Sequence, residues 1–134
     1  MSNEDITELL YKQSGLLGLS GISGDMQTLL ESDAEQAREA IDFYVYRINR
    51  ELGALTAILG GLDALVFTAG IGEHCAAIRS RVCKLAGWAG IRVDAYHNER
   101  HSLCISAGDS PVTVWAIPTK EEWMIARHTQ RLLS

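Results

Sequence analysis

The sequence predicts an α/β fold, a small sheet of three to four strands with long helices against it. Three observations predict it. From Ala34 to about Leu59 the apolar residues Ala37, Ile41, Tyr44, Val45, Ile48, Leu52, Leu55, Ile58 and Leu59 recur at steps of three and four, which is one face of a long helix. "ALVFTA" at 64–69 is β-prone and continuously apolar, as in a strand covered on both faces. Beyond it, helical spacing and short β-prone runs alternate to the end of the chain.

The elements follow in order. "ITELLYKQ" places Ile6, Leu9 and Leu10 at helical spacing. "SGLLGLSGISGD" holds Gly15, Gly18, Gly21 and Gly24, a density that predicts a loop with positions free to take positive φ. Asp25 stands at an N-cap for "MQTLLES", and Asp33 at an N-cap for the long helix. Gly60 and Gly61 end that helix. "HCAAIRSRVCKLAGW" returns to helical spacing, "GIRVD" reads as a strand, and the polar "AYHNERHSL" as a loop. "LCISA" and "PVTVWAIP" read as two strands around the turn "GDSP". "TKEEWMIARHTQRLL" closes the chain as an amphipathic helix, with Thr119 as N-cap and Glu122 three residues on in a capping-box pattern. The first strand arrives only near residue 63, which leaves the sheet thin for an independent domain and points to further structure upstream.

At 134 residues, 47% hydrophobic and 22% charged, the chain is the size of one domain and can bury a core. A net charge of −5 weighs against a nucleic acid or an anionic membrane as partner. There is no apolar run of membrane-spanning length, and "MSNEDITELL" lacks a signal pattern. These features predict a cytoplasmic protein. Cys75, Cys83 and Cys104 form no CxxC or Cys/His cluster and are expected to be buried or inert thiols. Trp88, Trp115 and Trp123 are expected as core or interface aromatics.

Three short stretches carry chemistry, each beside a plainer reading. "TAGIGEH" leaves the carboxyl end of a strand, where ligands of α/β proteins usually sit. Gly70 and Gly72 have no Cβ, so a ligand can approach the backbone, and the following N–H groups can hold an anion. The plainer reading is an ordinary strand-to-helix turn, because neither GxGxxG nor a P-loop is present. "GLSGISGDMQ" could wall a nucleotide site, with Asp25 accepting ribose hydroxyls, or Asp25 could simply cap a helix. "IPTKEEW" puts Glu121 and Glu122 in a first helical turn, where the helix dipole stabilises carboxylates and where one of them could also hold Mg²⁺. No Ser/His/Asp or Cys/His set can be assembled, so no catalytic residue is assigned.

The order of these stretches carries more than each alone. "SGLLGLSGISGDMQTLL", then "FYVYRI", then "DALVFTAGIGEHCAAIRSRVC", then "IPTKEEWMIARHT" resembles the carboxyl-terminal portion of the acetate kinase (acetate/propionate kinase, acetokinase) family, from about Ser14 to Thr129. The resemblance implies part of an actin-like, sugar-kinase-like (ribonuclease H-like) lobe. It implies transfer of the γ-phosphoryl group of ATP to acetate or propionate with Mg²⁺, giving the acyl phosphate and ADP, and a homodimer. It implies that Asp25, Met26 and Gln27 line the adenosine pocket, that Gly70, Ile71, Gly72, Glu73 and His74 form its other side, and that Glu121 serves Mg²⁺. Gln27 stands where the family has arginine, and His74 where it has asparagine. The family's acyl-binding, catalytic and phosphate-loop segments have no counterpart here, so the chain is expected to orient adenosine without transferring phosphate alone. Its terminal helix, 119–133, is expected to pack on the other lobe, leaving an apolar patch that self-association would cover. The alternative from another class is a non-catalytic dimerisation or interaction module derived from the same fold.

Overall fold

The computed structural model describes residues 1–133, with Glu121 described by its backbone alone. The chain divides into two compact units, Met1–Gly60 and the stretch from Gly61 onward.

The first unit is helical. Helix α1 (Asn3–Lys12) opens with a capping box, in which the Ser2 hydroxyl accepts from the Asp5 amide and the Asp5 carboxylate accepts from the Ser2 amide. Helix α2 (Gly15–Ser20) occupies half of the stretch expected to be a loop. Helix propensity is overridden here by packing, since α2 and α3 (Met26–Leu30) both lie against α4 (Glu35–Leu59). One glycine in α2 has a steric reason: a Cβ at Gly18 would stand 2.9 Å from the Gln13 carbonyl oxygen. Gly21 ends the helix at φ 64°, the left-handed C-cap that glycine adopts without strain.

The long helix α4 forms where the spacing predicts it, although its N-cap is Ala34 and not Asp33. Ala37, Ala40, Ile41 and Val45 are buried on one face and, with Met26 and Leu29, make the core of this unit. The second half of the same apolar stripe is open, with Leu55, Ile58 and Leu59 exposed.

The second unit holds the sheet. Strands β1 (Ala64–Phe67) and β2 (Thr113–Ala116) pair in parallel, Leu65 opposite Val114 and Phe67 opposite Ala116. The sheet has two strands, fewer than the three to four expected. "GIRVD" and "LCISA" form isolated bridges instead: Ile91 to Val112 just before β2, Cys104 to Trp115 of β2, and Val93 to Ser106 between the two runs. β-propensity follows pairing and burial more than composition. Nor is β1 covered on both faces: Leu65 and Phe67 are half-buried, whereas Val66 is 47% exposed.

Four short helices connect and follow the strands: α5 (Ala69–His74), α6 (Ala76–Leu85), α7 (Ala95–Glu99) and α8 (Glu121–Leu133), with a 3-10 turn at Ala86–Ala89. The expected helix 74–88 is therefore broken at Cys75, and the expected loop 95–103 contains a helix capped by the Asp94 carboxylate on the His97 amide. α8 begins at Glu121, and the amide and hydroxyl of Thr119, expected in a capping box, donate instead to Glu73. Ile78, Val82, Ile91, Ile105, Val112 and Val114 are core residues of this unit. Cys83 is buried, and burial pushes its thiol up to about 12, which makes it inert as expected. Trp88 and Trp123 are exposed and Trp115 is half-buried, so none of the three tryptophans sits in the core. No helix among the described residues is long and apolar enough to cross a membrane.

Candidate functional site

The stretch after β1 enters a helix at once. Ala69, its first residue, stands at φ 58°, a left-handed conformation that costs a residue with a Cβ about 1–2 kcal/mol. What holds it there is Glu73, one helical turn on. Glu73 Oε1 accepts from the Ala69 amide at 2.7 Å, and also from the Thr119 amide at 2.7 Å and the Thr119 hydroxyl at 2.9 Å. The Glu73 side chain is only 11% exposed, and its other oxygen lies 3.8 Å from His74 Nε2. The Thr119 amide does most to hold the Glu73 carboxyl below its usual range, with the Thr119 hydroxyl and the Ala69 amide acting in the same sense and burial opposing them.

Behind α5 stands Arg79, fully buried on α6. Its guanidinium donates to the carbonyls of Gly72 (2.9 Å) and Glu73 (2.7 Å), and to the side-chain and backbone oxygens of Asn98, both at 2.8 Å. Nδ1 of His101 lies 3.2 Å from the same group and 3.0 Å from the Glu73 carbonyl. Burial pulls the guanidinium pKa down, yet five donors in a fixed fork leave it charged and well partnered. The last turn of α5 is thus pinned through its free carbonyls, which a helix end otherwise leaves unsatisfied.

In front of α5 lies a cleft of about 450 Å³, lined by Gly70, Glu73, His74, Thr119, Lys120, Glu122 and Trp123. The structure therefore brings "GIGEH" and "TKEEW" together across 46 residues of sequence. Gly70 and Gly72 differ here. A Cβ on Gly70 would meet nothing within 4 Å, so no neighbour in the chain requires glycine there. A Cβ on Gly72 would lie 3.4–3.6 Å from Phe67, an ordinary contact, so α5 packs closely on β1 there. Ile71 is half-buried and His74 is exposed at the cleft.

The other predicted segment lies in the first unit. Asp25 is the N-cap of α3: its Oδ2 accepts from the amide and the hydroxyl of Thr28, both at 2.9 Å. The Thr28 amide bond lowers its pKa. Met26 is 4% exposed and belongs to the core, and Gln27 Nε2 donates to Glu31 Oε1 at 2.7 Å. The turn before them is organised by Ser20, whose hydroxyl oxygen accepts from the amides of Ile22 and Ser23.

No group of three or more acidic, histidine or cysteine side chains among the described residues could cage a metal. Mg²⁺ does not need one, because it is commonly held by one or two carboxylates together with phosphate oxygens and water. Glu121, the residue predicted to serve it, opens α8 and has its side chain outside the described residues. With Glu73 Oε1 taken by three donors, Glu73 Oε2 and the Glu122 carboxylate are the described acidic oxygens at the cleft left to join it.

Sequence reasoning misses Arg79, Asn98, Lys120 and the role of Thr119. Arg79 leaves one signal, a cation three and four residues before Val82 and Cys83 on an otherwise apolar stripe.

Comparison with known proteins agrees with the motif order. Residues 1–127 match the model of the acetokinase family. An acetate kinase of Rhodopseudomonas palustris is 60% identical over 134 residues, covering 98% of this chain and 34% of that protein. The crystal structure of Porphyromonas gingivalis acetate kinase superposes with a TM-score of 0.83 at 39% identity, covering 100% of this chain and 35% of that one. A propionate kinase from Francisella tularensis gives 0.84 at 34% identity, covering 95% and 33%. The chain spans about a third of the length of these relatives, and it belongs to the acetokinase family.

Proposed function

We propose that the chain is the carboxyl-terminal part of an acetate kinase and supplies the adenosine side of an ATP site in an actin-like lobe. The complete enzyme would transfer the γ-phosphoryl group of ATP to acetate, giving acetyl phosphate and ADP. Asp25, Met26 and Gln27 would contact the nucleotide, as would Gly70, Ile71, Gly72, Glu73 and His74. Glu121 would hold Mg²⁺, which neutralises phosphate charge during transfer.

The observation that carries this reading is Gly70. It lines the cleft, and its missing Cβ leaves open space that nothing in the chain uses, which suits close approach of a flat or charged ligand. The test is calorimetry with ATP and ADP, with and without Mg²⁺. Gly70→Val adds bulk only to open space and should abolish binding while leaving the fold intact. Gly72→Val is the less clean probe, because a Cβ there already touches Phe67 and the branched methyls add to that contact. Glu121→Ala should weaken the Mg²⁺-dependent part alone. Unchanged affinity in Gly70→Val would overturn the assignment. The residues present orient a nucleotide and do not make bonds, so the isolated chain should form no acetyl phosphate from ATP and acetate.

One set of observations favours a second reading, a dimerisation or interaction module. The Gln27 amide is engaged by Glu31, His74 is 80% exposed, and Trp123, Ile125 and Leu132 of α8 are exposed. We propose that α8 packs on the remaining lobe in the whole kinase and drives self-association, as a homodimer, when that lobe is absent. Sedimentation that finds only monomer at high concentration would rule this out, and absence of any nucleotide binding would favour the module.

A further inference from the structure

Resting on the nucleotide reading above, we infer that Glu73 is a positioning residue, a latch that fixes the turn carrying Glu121 onto the α5 wall before any ligand arrives. A carboxylate offered to a ligand keeps free lone pairs facing the cleft. Oε1 of Glu73 has none to spare, because three donors converge on it, one from its own helix and two from Thr119, while Oε2 stands 3.8 Å from His74 Nε2. Two of those donors are backbone amides, so the latch fixes main chain and not merely side chains.

The geometry of the turn follows. The Ile117 amide donates to the Phe67 carbonyl at 2.9 Å, extending the parallel pairing of β1 and β2 by one residue. Thr119 is then tied to Glu73. Glu121 comes two residues later, a span of at most about 7 Å even for extended chain. The position of the predicted metal residue is therefore set from α5. On the α5 side, the Ala69 bond offsets the strain of its left-handed backbone, and Arg79 fixes the Glu73 carbonyl from behind. Wall and turn are thus locked in one frame, which is the preorganisation that phosphate positioning needs.

The experiment is amide hydrogen exchange on the 134-residue chain without nucleotide, joined to calorimetry with ATP in the presence and absence of Mg²⁺. In Glu73→Ala the amides of Ala69 and Thr119 should exchange about tenfold faster, in line with loss of a charged acceptor. The amides of Val82 and Cys83 in α6 should keep their protection. Affinity for ATP with Mg²⁺ should fall about tenfold, and affinity without metal by less than about threefold. Glu73→Gln keeps an acceptor oxygen and the shape, and should retain more of the protection of both amides and of the Mg²⁺-dependent affinity than Glu73→Ala does. Unchanged exchange at Ala69 and Thr119 in Glu73→Ala with α6 protected would overturn the latch. So would a loss in Glu73→Gln as large as in Glu73→Ala, which is the mark of a carboxylate that touches the ligand. Should Glu73→Ala lose protection in α6 as well, the Gln variant decides alone. Exchange is read with no nucleotide present. Failure of the parent to bind ATP would therefore sink the nucleotide reading, while the exchange rates would still show whether Glu73 ties the two segments together.

Discussion

The two stretches predicted to face a nucleotide are built alike and held differently. Each is a glycine-bearing stretch with a short helix, α3 following the glycines in the first and α5 containing them in the second, and each contains one acid whose oxygen receives a backbone amide. Asp25 takes both of its donors from Thr28, three residues away. Glu73 takes one from Ala69 and two from Thr119, 46 residues away. The first is a helix cap whose job ends within its own turn. The second binds two elements of the fold to each other. A local bond orders its own segment, whereas a bond across the fold sets the relation between two walls of a cleft, which is the property a binding site requires.

The largest effect should come from the support of the second turn. Arg79→Met keeps much of the side chain's bulk but removes the guanidinium donors from the carbonyls of Gly72, Glu73 and Asn98, of which the last two keep only their contacts with His101. Leaving such groups unpaired should cost about 3 kcal/mol. The three tryptophans all lie beyond Gly61, so urea unfolding followed by tryptophan fluorescence reads this unit by itself. A midpoint equal to the parent's would mean that water replaces the guanidinium and that α5 needs no frame.

The first turn should break by a different cause. At Gly18 an added Cβ meets the Gln13 carbonyl at 2.9 Å, a backbone atom that cannot swing away. Gly18→Ala should therefore destabilise the first unit by about 1–3 kcal/mol, read as the loss of helical circular dichroism in urea. Its tryptophan-reported midpoint should stay at the parental value. Stabilisation by the better helix former would show that the contact relaxes freely.

How legible each region is in the sequence follows the same division. The Asp25 cap and the long α4 helix are written in residues a few positions apart, and both are readable. The 14–25 stretch misleads because four glycines argue against a helix, while α2 is held by packing on α4 that no local pattern encodes. The cleft can be anticipated only as two motifs, "GIGEH" and "TKEEW", whose residues turn out to line one space. Their link through Thr119 passes for a helix cap, because Thr-x-x-Glu satisfies the capping-box pattern whether or not the helix starts there. Strand count is overestimated for a related reason: "GIRVD" and "LCISA" have β composition, but pairing is a property of neighbours. The exposed face of β1 and the open half of α4 read as covered, since hydrophobic runs report what a chain can bury and not what this portion of it supplies.

The smaller tests compare the two acids directly. Asp25→Ala should lower the first unit's urea midpoint modestly by removing its cap. Thr119→Val should lower the second unit's by a similar small step, since the Thr119 amide continues to donate to Glu73. A drop in the tryptophan signal from Asp25→Ala would contradict the local character assigned to that cap.

The smallest effect is the dependence on pH, and its sign can be worked out for both acids. Each has its pKa lowered in the folded chain, from 3.8 for Asp25 and from 4.5 for Glu73. A carboxylate with a depressed folded pKa contributes stability that is complete above its unfolded value and disappears as pH falls through the folded one. Glu73, with the higher starting value, should act first. On acidification the tryptophan-reported midpoint should begin to fall near pH 4.5, ahead of any loss traceable to Asp25. The amide-bearing Glu73→Gln cannot titrate, so its midpoint should be flatter over the same range, and the difference between the two curves isolates the latch. Parallel curves for parent and variant would mean that Glu73 carries no more charge-dependent binding in the folded chain than in the unfolded one. The three bonds to its Oε1 would then be geometry without energetic consequence, and the contrast with Asp25 would vanish.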